Sequence, residues 1–135
     1  MLKSKVLLPS DGSDTSLKAA AYASRLMKTN PELKVNVLVV VPESSGFAEI
    51  DRAMEDKGRE IMERTLQGFI KEGLAVEQFI EKGDPATVII NYAERGGYDH
   101  IIMGSRGASE LRGAAIGSVS HKVIHLANCR VTLVK

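Results

Sequence analysis

A chain of 135 residues, 44% hydrophobic and 26% charged, is long enough to bury one core and too short for two comfortable domains, so residues 1–135 read as one soluble domain. A formal net charge of +1, from 18 basic and 17 acidic residues, and only 4% aromatic side chains argue against a basic, ring-lined nucleic-acid groove. The single cysteine, Cys129, has no partner within the chain, no apolar run reaches membrane-spanning length, and the opening MLKSKVLLPSDG is cut short by Pro9 and Asp11. The expectation is a cytoplasmic protein with neither nucleic acid nor membrane as partner.

KVLLP (residues 5–9) is an apolar run ended by proline, the pattern of a buried strand. The turn DGSD (11–14) follows, with Ser13 placed to cap a helix carrying Leu17, Ala20, Ala21, Ser24 and Met27 on one face. Asn30-Pro31 stops that helix, because the residue before proline is steered away from the α region. KVNVLVVV (34–41) is β-branched and nearly all apolar, as in a strand covered on both faces. After a polar connector at 42–46, the spacing of Ile50, Met54, Ile61, Met62, Leu66, Phe69 and Ile70 predicts a long helix over 48–72, closed by Gly73. Residues 75–81 read as a weaker, edge-like strand. Gly83-Asp84-Pro85 supplies a turn, a cap and a proline at the first helical position before a helix through 88–95, which Gly96-Gly97 ends. DHIIM (99–103) is a fourth strand, 118–126 a last helix through Val119, Val123 and Leu126, and RVTLVK (130–135) a fifth strand.

Strands alternating with helical crossovers call for a doubly wound, Rossmann-like α/β fold: one five-stranded parallel sheet with helices on both faces. Ligands of such sheets sit beyond the carboxyl ends of the strands, at the point where the winding reverses. Two segments fall there, PSDGS (9–13) after the first strand and GSRGASELRGAAIGSVSHK (104–122) after the fourth.

The second segment holds four glycines between Gly104 and Gly117, each costing about 0.5–1 kcal/mol against alanine inside regular structure. The phosphate loops Gly-x4-Gly-Lys-Ser/Thr and Gly-x-Gly-x-x-Gly are absent; what stands here is Gly104-x2-Gly107-x9-Gly117-Ser118. Gly104 can admit a ligand to the backbone, Gly107 permits an amide nest for anions, and Gly117-Ser118 opens a helix whose N–H groups attract phosphate. Arg106 and Arg112 stand ready to neutralise charge. The plain alternative is a glycine-rich strand-to-helix loop capped by Ser118 or Ser120.

Gly-x2-Gly-x9-Gly-Ser/Thr resembles the ATP-binding signature of the universal stress protein family. VLLPSDGS (6–13), Gly83-Asp84-Pro85, DHIIMGSRG (99–107), GSVS (117–120) and CRVTLV (129–134) are similar to that family's hallmarks along the whole length. The resemblance implies strand order 3-2-1-4-5 and ATP as cofactor, with Mg2+ carried by its phosphates. It places adenine and ribose near Pro9, Ser10, Asp11 and Val40. The phosphates then run along Met103, Gly104, Ser105, Arg106, Gly107, Ala108 and Ser109, and along Gly117, Ser118 and Val119. It also implies a homodimer through the C-terminal strand 130–135 and a protein partner of unknown kind. Arg130 and Ser10 depart from the family pattern, which commonly has proline at the first position and valine, isoleucine or threonine at the second.

Asp11 has a simpler role as an Asx-turn residue, and Asp14 and Asp84 read as helix-start charges. His121 and His125, four apart on the last helix, have a metal-clasping spacing but no third ligand at recognisable spacing, and exposed helix histidines are the better reading. His100 reads as the start of a strand and Cys129 as buried filler. No Ser-His-acid set is evident, so no catalytic residue is assigned. Receiver domains need an acidic pair after strand one and an acceptor aspartate after strand three, and pyrophosphatase loops need Ser-Gly-Gly-x-Asp-Ser; neither pattern is here. The reading is an ATP-binding stress-response regulator switched by its nucleotide; the rival is a slow ATPase or autophosphorylating phosphotransferase.

Overall fold

The structure, a computed structural model, describes residues 4–107 and 117–135. Five strands and four helices alternate: β1 Lys5–Pro9, α1 Asp14–Thr29, β2 Lys34–Val41, α2 Ala48–Lys71, β3 Glu77–Lys82, α3 Pro85–Arg95, β4 His100–Gly104, α4 Ser118–Leu126 and β5 Arg130–Val134. The strands form one parallel sheet in the order β3-β2-β1-β4-β5.

Alternation along the strands sends side chains to two cores. Val6, Leu8, Val35, Val37, Val39 and Ile102 pack under α1 and α2 with Phe69 and Met62. Leu7, Leu38, Ile101 and Met103 pack under α3 and α4 with Ile89 and Val123. Strands buried on both faces need apolar residues at every position, which is why β2 reads as an unbroken run. Its one buried polar residue, Asn36, donates from Nδ2 to the Tyr98 hydroxyl, 2.6 Å away.

Two expected faces differ from the observed ones. On α1 the buried line is Thr15, Ala19, Ala23, Met27 beside Ser16, Ala20, Ser24, while Ala21 is exposed and Leu17 half-buried. Polar contacts explain the rotation: Thr15 and Ser16 are turned inward to bond the loops after β4 and β1, and the i+4 spacing carries that face down the helix. On α2, Ile50 and Ile70 are exposed. Phe69 and Leu66 turn into the core at the end of α2, which leaves the adjacent Ile70 on the outer face of the helix. β3 starts at Glu77 rather than 75, and α3 starts at Pro85 on its Asp84 cap, whose carboxylate accepts from the Thr87 N–H.

The amino ends of β4 and β5 gather Asp99, His100, Cys129 and Arg130. The His100 Nε2 lies 2.7 Å from the Thr132 hydroxyl, tying the two strands. Burial, aided by the Arg130 charge and opposed by Asp99, holds the His100 imidazole below its ordinary pKa of 6.5. As the pH falls below that value the unfolded chain takes up the proton first, so stability is lost on acidification. Urea midpoints should therefore fall between about pH 7.5 and 5.5, and His100→Gln should flatten the fall; an equal slope in the variant would place the loss in another group.

Candidate functional site at the carboxyl ends of β1 and β4

β1 leads through α1, on one face, to β2; its neighbour β4 leads through α4, on the other face, to β5. The chain thus leaves adjacent strands in opposite directions, and a crevice must open between their carboxyl ends. A cleft of about 400 Å³ lies there.

Leu38 and Val40 of β2, Met103 of β4, Pro9 of β1 and Ile89 of α3 give the cleft an apolar lining at the strand ends. Its loop lining is supplied by Arg106 and Gly107 after β4 and by Ser118 and Val119 at the start of α4. Gly117, in extended conformation, caps α4 and offers no side chain to its first turn. A helix start facing a cleft brings partial positive charge to it. Among the described residues the Arg106 guanidinium has no ion-pair partner. Its backbone, by contrast, is fixed: the Thr15 and Ser13 hydroxyls donate to the Arg106 carbonyl at 2.7 and 3.2 Å.

Asp11 borders the cleft from the β1 loop, and its Oδ1 accepts from the Ser16 hydroxyl at 2.7 Å and the Ser13 N–H at 3.0 Å. That is an Asx-turn built onto the Ser13 cap, so the carboxylate orients the loop whatever else it meets. Ser10 also borders the cleft, and its hydroxyl lies 2.8 Å from that of Thr65, a buried link to α2.

Gly104 has a reason other than ligand access. A Cβ there would come within 2.6 Å of the Ser16 nitrogen and 2.7 Å of the Thr15 carbonyl carbon. The bare backbone lets the first turn of α1 lie on the end of β4. Ser105 and Gly117 sit behind the cleft: Ser105 is buried, its N–H donates to the Val134 carbonyl, and its own carbonyl accepts from Gly117 at 2.6 Å. The Ser120 hydroxyl donates to the Gly104 carbonyl, pinning α4 to β4. Ala108, Ser109 and Arg112 lie outside the described residues.

Leu38 and Ile89 carry no mark of a site in the sequence, and sequence reasoning missed a whole wall of the cleft as well. Met54, Lys57, Gly58 and Ile61 of α2 border the cleft. The signal was Gly58, a glycine inside a helix: a Cβ would stand 2.6 Å from the Val41 Cγ1, so the glycine lets α2 close over β2.

Other candidates lie elsewhere. His100 and Cys129 are at the opposite end of the sheet, and burial, with Asp99 adding to it, pushes the Cys129 thiol up and away from reactive thiolate. Asp84 is held below the usual carboxylate range by its bonds to Thr87. Among the described residues no group of three or more His, Cys, Asp or Glu could hold a metal, and no helix is long and apolar enough to cross a membrane.

A five-stranded parallel sheet wound in both directions, with a cleft at its switch point bordered by the start of α4, defines a Rossmann-like α/β protein. Residues 3–135 match the model of the universal stress protein family, and the chain belongs to that family. It is 34% identical to universal stress protein YxiE of Bacillus subtilis, over 97% of this chain and 98% of that one. It is similar to the solved structure of the MJ0577 protein of Methanocaldococcus jannaschii, with a TM-score of 0.86, 30% identity, and 100% and 97% of the two chains covered. A universal stress protein of Archaeoglobus fulgidus, solved in complex with dAMP, shares the fold at a TM-score of 0.75, 20% identity and full coverage of both chains.

Gly104→Ala tests the packing role. It should lower the unfolding free energy by about 1–3 kcal/mol, the usual range for overpacking, in a urea melt without any ligand. An unchanged midpoint would return Gly104 to a role in ligand access alone.

Proposed function

We propose that the chain is a cytoplasmic, ATP-binding stress-response regulator. In this reading adenine occupies the apolar end of the cleft near Val40 and Met103, with ribose beside Pro9, Ser10 and Asp11. The triphosphate runs past Gly104, Ser105, Arg106 and Gly107 to Gly117, Ser118 and Val119, and continues along Ala108 and Ser109. The observation that carries it is the make-up of one cleft, in which apolar residues at the strand ends share a lining with Arg106 and the start of α4. Family members solved with dAMP, with cyclic AMP and, from Arabidopsis thaliana, with AMP support an adenine nucleotide as the guest. Mg2+ rides on the phosphates in this reading.

Binding that favours one conformation over another shifts their equilibrium and alters what the surface offers a protein partner. The partner on one side is a second copy through the last strand. β5 is a sheet edge whose run Val131, Thr132, Leu133, Val134 is half-buried and uncharged. The other edge, β3, carries Glu77, Glu81 and Lys82, the charges that discourage strand pairing.

Thermal melts with ATP, ADP, AMP and cyclic AMP test the reading; at free ligand about 100 times Kd the stabilisation is near 2.7 kcal/mol. Arg106→Gln should weaken ATP by about 1.5–3 kcal/mol, the worth of a charged hydrogen bond, and AMP much less. No shift with any adenine nucleotide would refute the proposal. Timed phosphate release separates the regulator from the rival: a regulator turns over slowly, and many turnovers per minute would make the chain an enzyme.

A further inference from the structure

The cleft leaves two residues of α4 unused. His121 and His125 stand four apart, which stacks their side chains on one helix face, and both are exposed. Their ring centroids are 4.4 Å apart and their planes inclined by 66°.

That separation has a chemical reading. An imidazole nitrogen binds a divalent transition ion at about 2.0–2.1 Å, which puts the ring centre roughly 3.2 Å from the ion. Two rings on adjacent positions of a square or octahedral ion then have centres roughly 4.5 Å apart, and on a tetrahedral ion roughly 5.2 Å. The two rings meet edge-on at 4.4 Å, a separation nearer the right-angle case, and rotation of these exposed side chains is what turns one nitrogen of each toward a shared ion. Tetragonal nitrogen sites suit Cu(II) and Ni(II), whereas Mg2+ and Ca2+ take oxygen ligands.

We propose that His121 and His125 form a bidentate site for a borderline divalent transition ion, Cu(II) or Ni(II) in preference to Zn(II). Being bidentate, it leaves the remaining coordination positions to water. The site is separate from the cleft and stands whether or not a nucleotide binds there.

Calorimetric titration of the full chain with Cu(II), Ni(II), Zn(II) and Mg(II), in a buffer that does not chelate, tests it. One Cu(II) or Ni(II) per chain is expected, bound more tightly than Zn(II), with no heat from Mg(II). Loss of an outer-shell partner alone costs about 10–100-fold in metal affinity, so His121→Gln or His125→Gln should each weaken Ni(II) at least about tenfold. Both positions are exposed, so the melting temperature without metal should not move. Wild-type affinity in the double variant, or no binding to the wild type, would overturn the site. Tighter Zn(II) than Ni(II) would overturn the tetragonal assignment.

Discussion

The fold depends on how closely the first turn of α1 approaches the end of β4. A doubly wound sheet must part its chain between two neighbouring strands, and the two loops there have no shared secondary structure to hold them. Here the hydroxyls of Ser13 and Thr15 donate to the Arg106 carbonyl, and Gly104 leaves room for them to come that near. The same turn binds Asp11 through Ser16. One helix start therefore sets the position of both loops that edge the cleft. A bulkier residue at 104 would push that helix start off the sheet, and both loops with it.

From that constraint the polarity of the cleft follows. The loop after β1 and the loop after β4 are held at a fixed separation, and α4 is pinned to the end of β4 by Ser120 on the Gly104 carbonyl and by Gly117 on the Ser105 carbonyl. α4 must then present its start to the opening. The apolar end is a by-product of β2 and β4 being covered on both faces, since their last residues remain apolar where the covering helices stop. α2 closes the far side, tied to the β1 loop by the Ser10–Thr65 link and by Arg64 donating to the Gly12 carbonyl at 3.2 Å. A guest in the cleft would touch α1, α2 and α4 together, which gives a small ligand purchase on much of the molecule.

Much of this was legible in the sequence because each element carried its own punctuation. Pro9, Asn30-Pro31, Asp84-Pro85 and Gly96-Gly97 marked ends that the structure keeps to within a few residues. The unbroken apolar run of β2 identified a parallel, doubly covered sheet. Faces set by tertiary polar contacts were less legible: nothing in the period of α1 says that Thr15 and Ser16 turn inward. The glycine motif was visible, but its meaning was divided, because a glycine that admits a ligand and one that admits a helix look alike in sequence. The wall supplied by α2 depends on a long-range approach, and only Gly58 hinted at it.

A second, more polar groove runs between β3 and α3, lined by Phe79, Tyr92 and Tyr98 among others, and offers a clear alternative address for a ligand. Amide chemical-shift mapping during ATP titration distinguishes the two most directly. If ATP occupies the cleft, shifts concentrate at Asp11, Val40, Met103 to Gly107 and Ser118 to Ser120. Shifts centred on Phe79 and Tyr92, or none at saturating nucleotide, would contradict it.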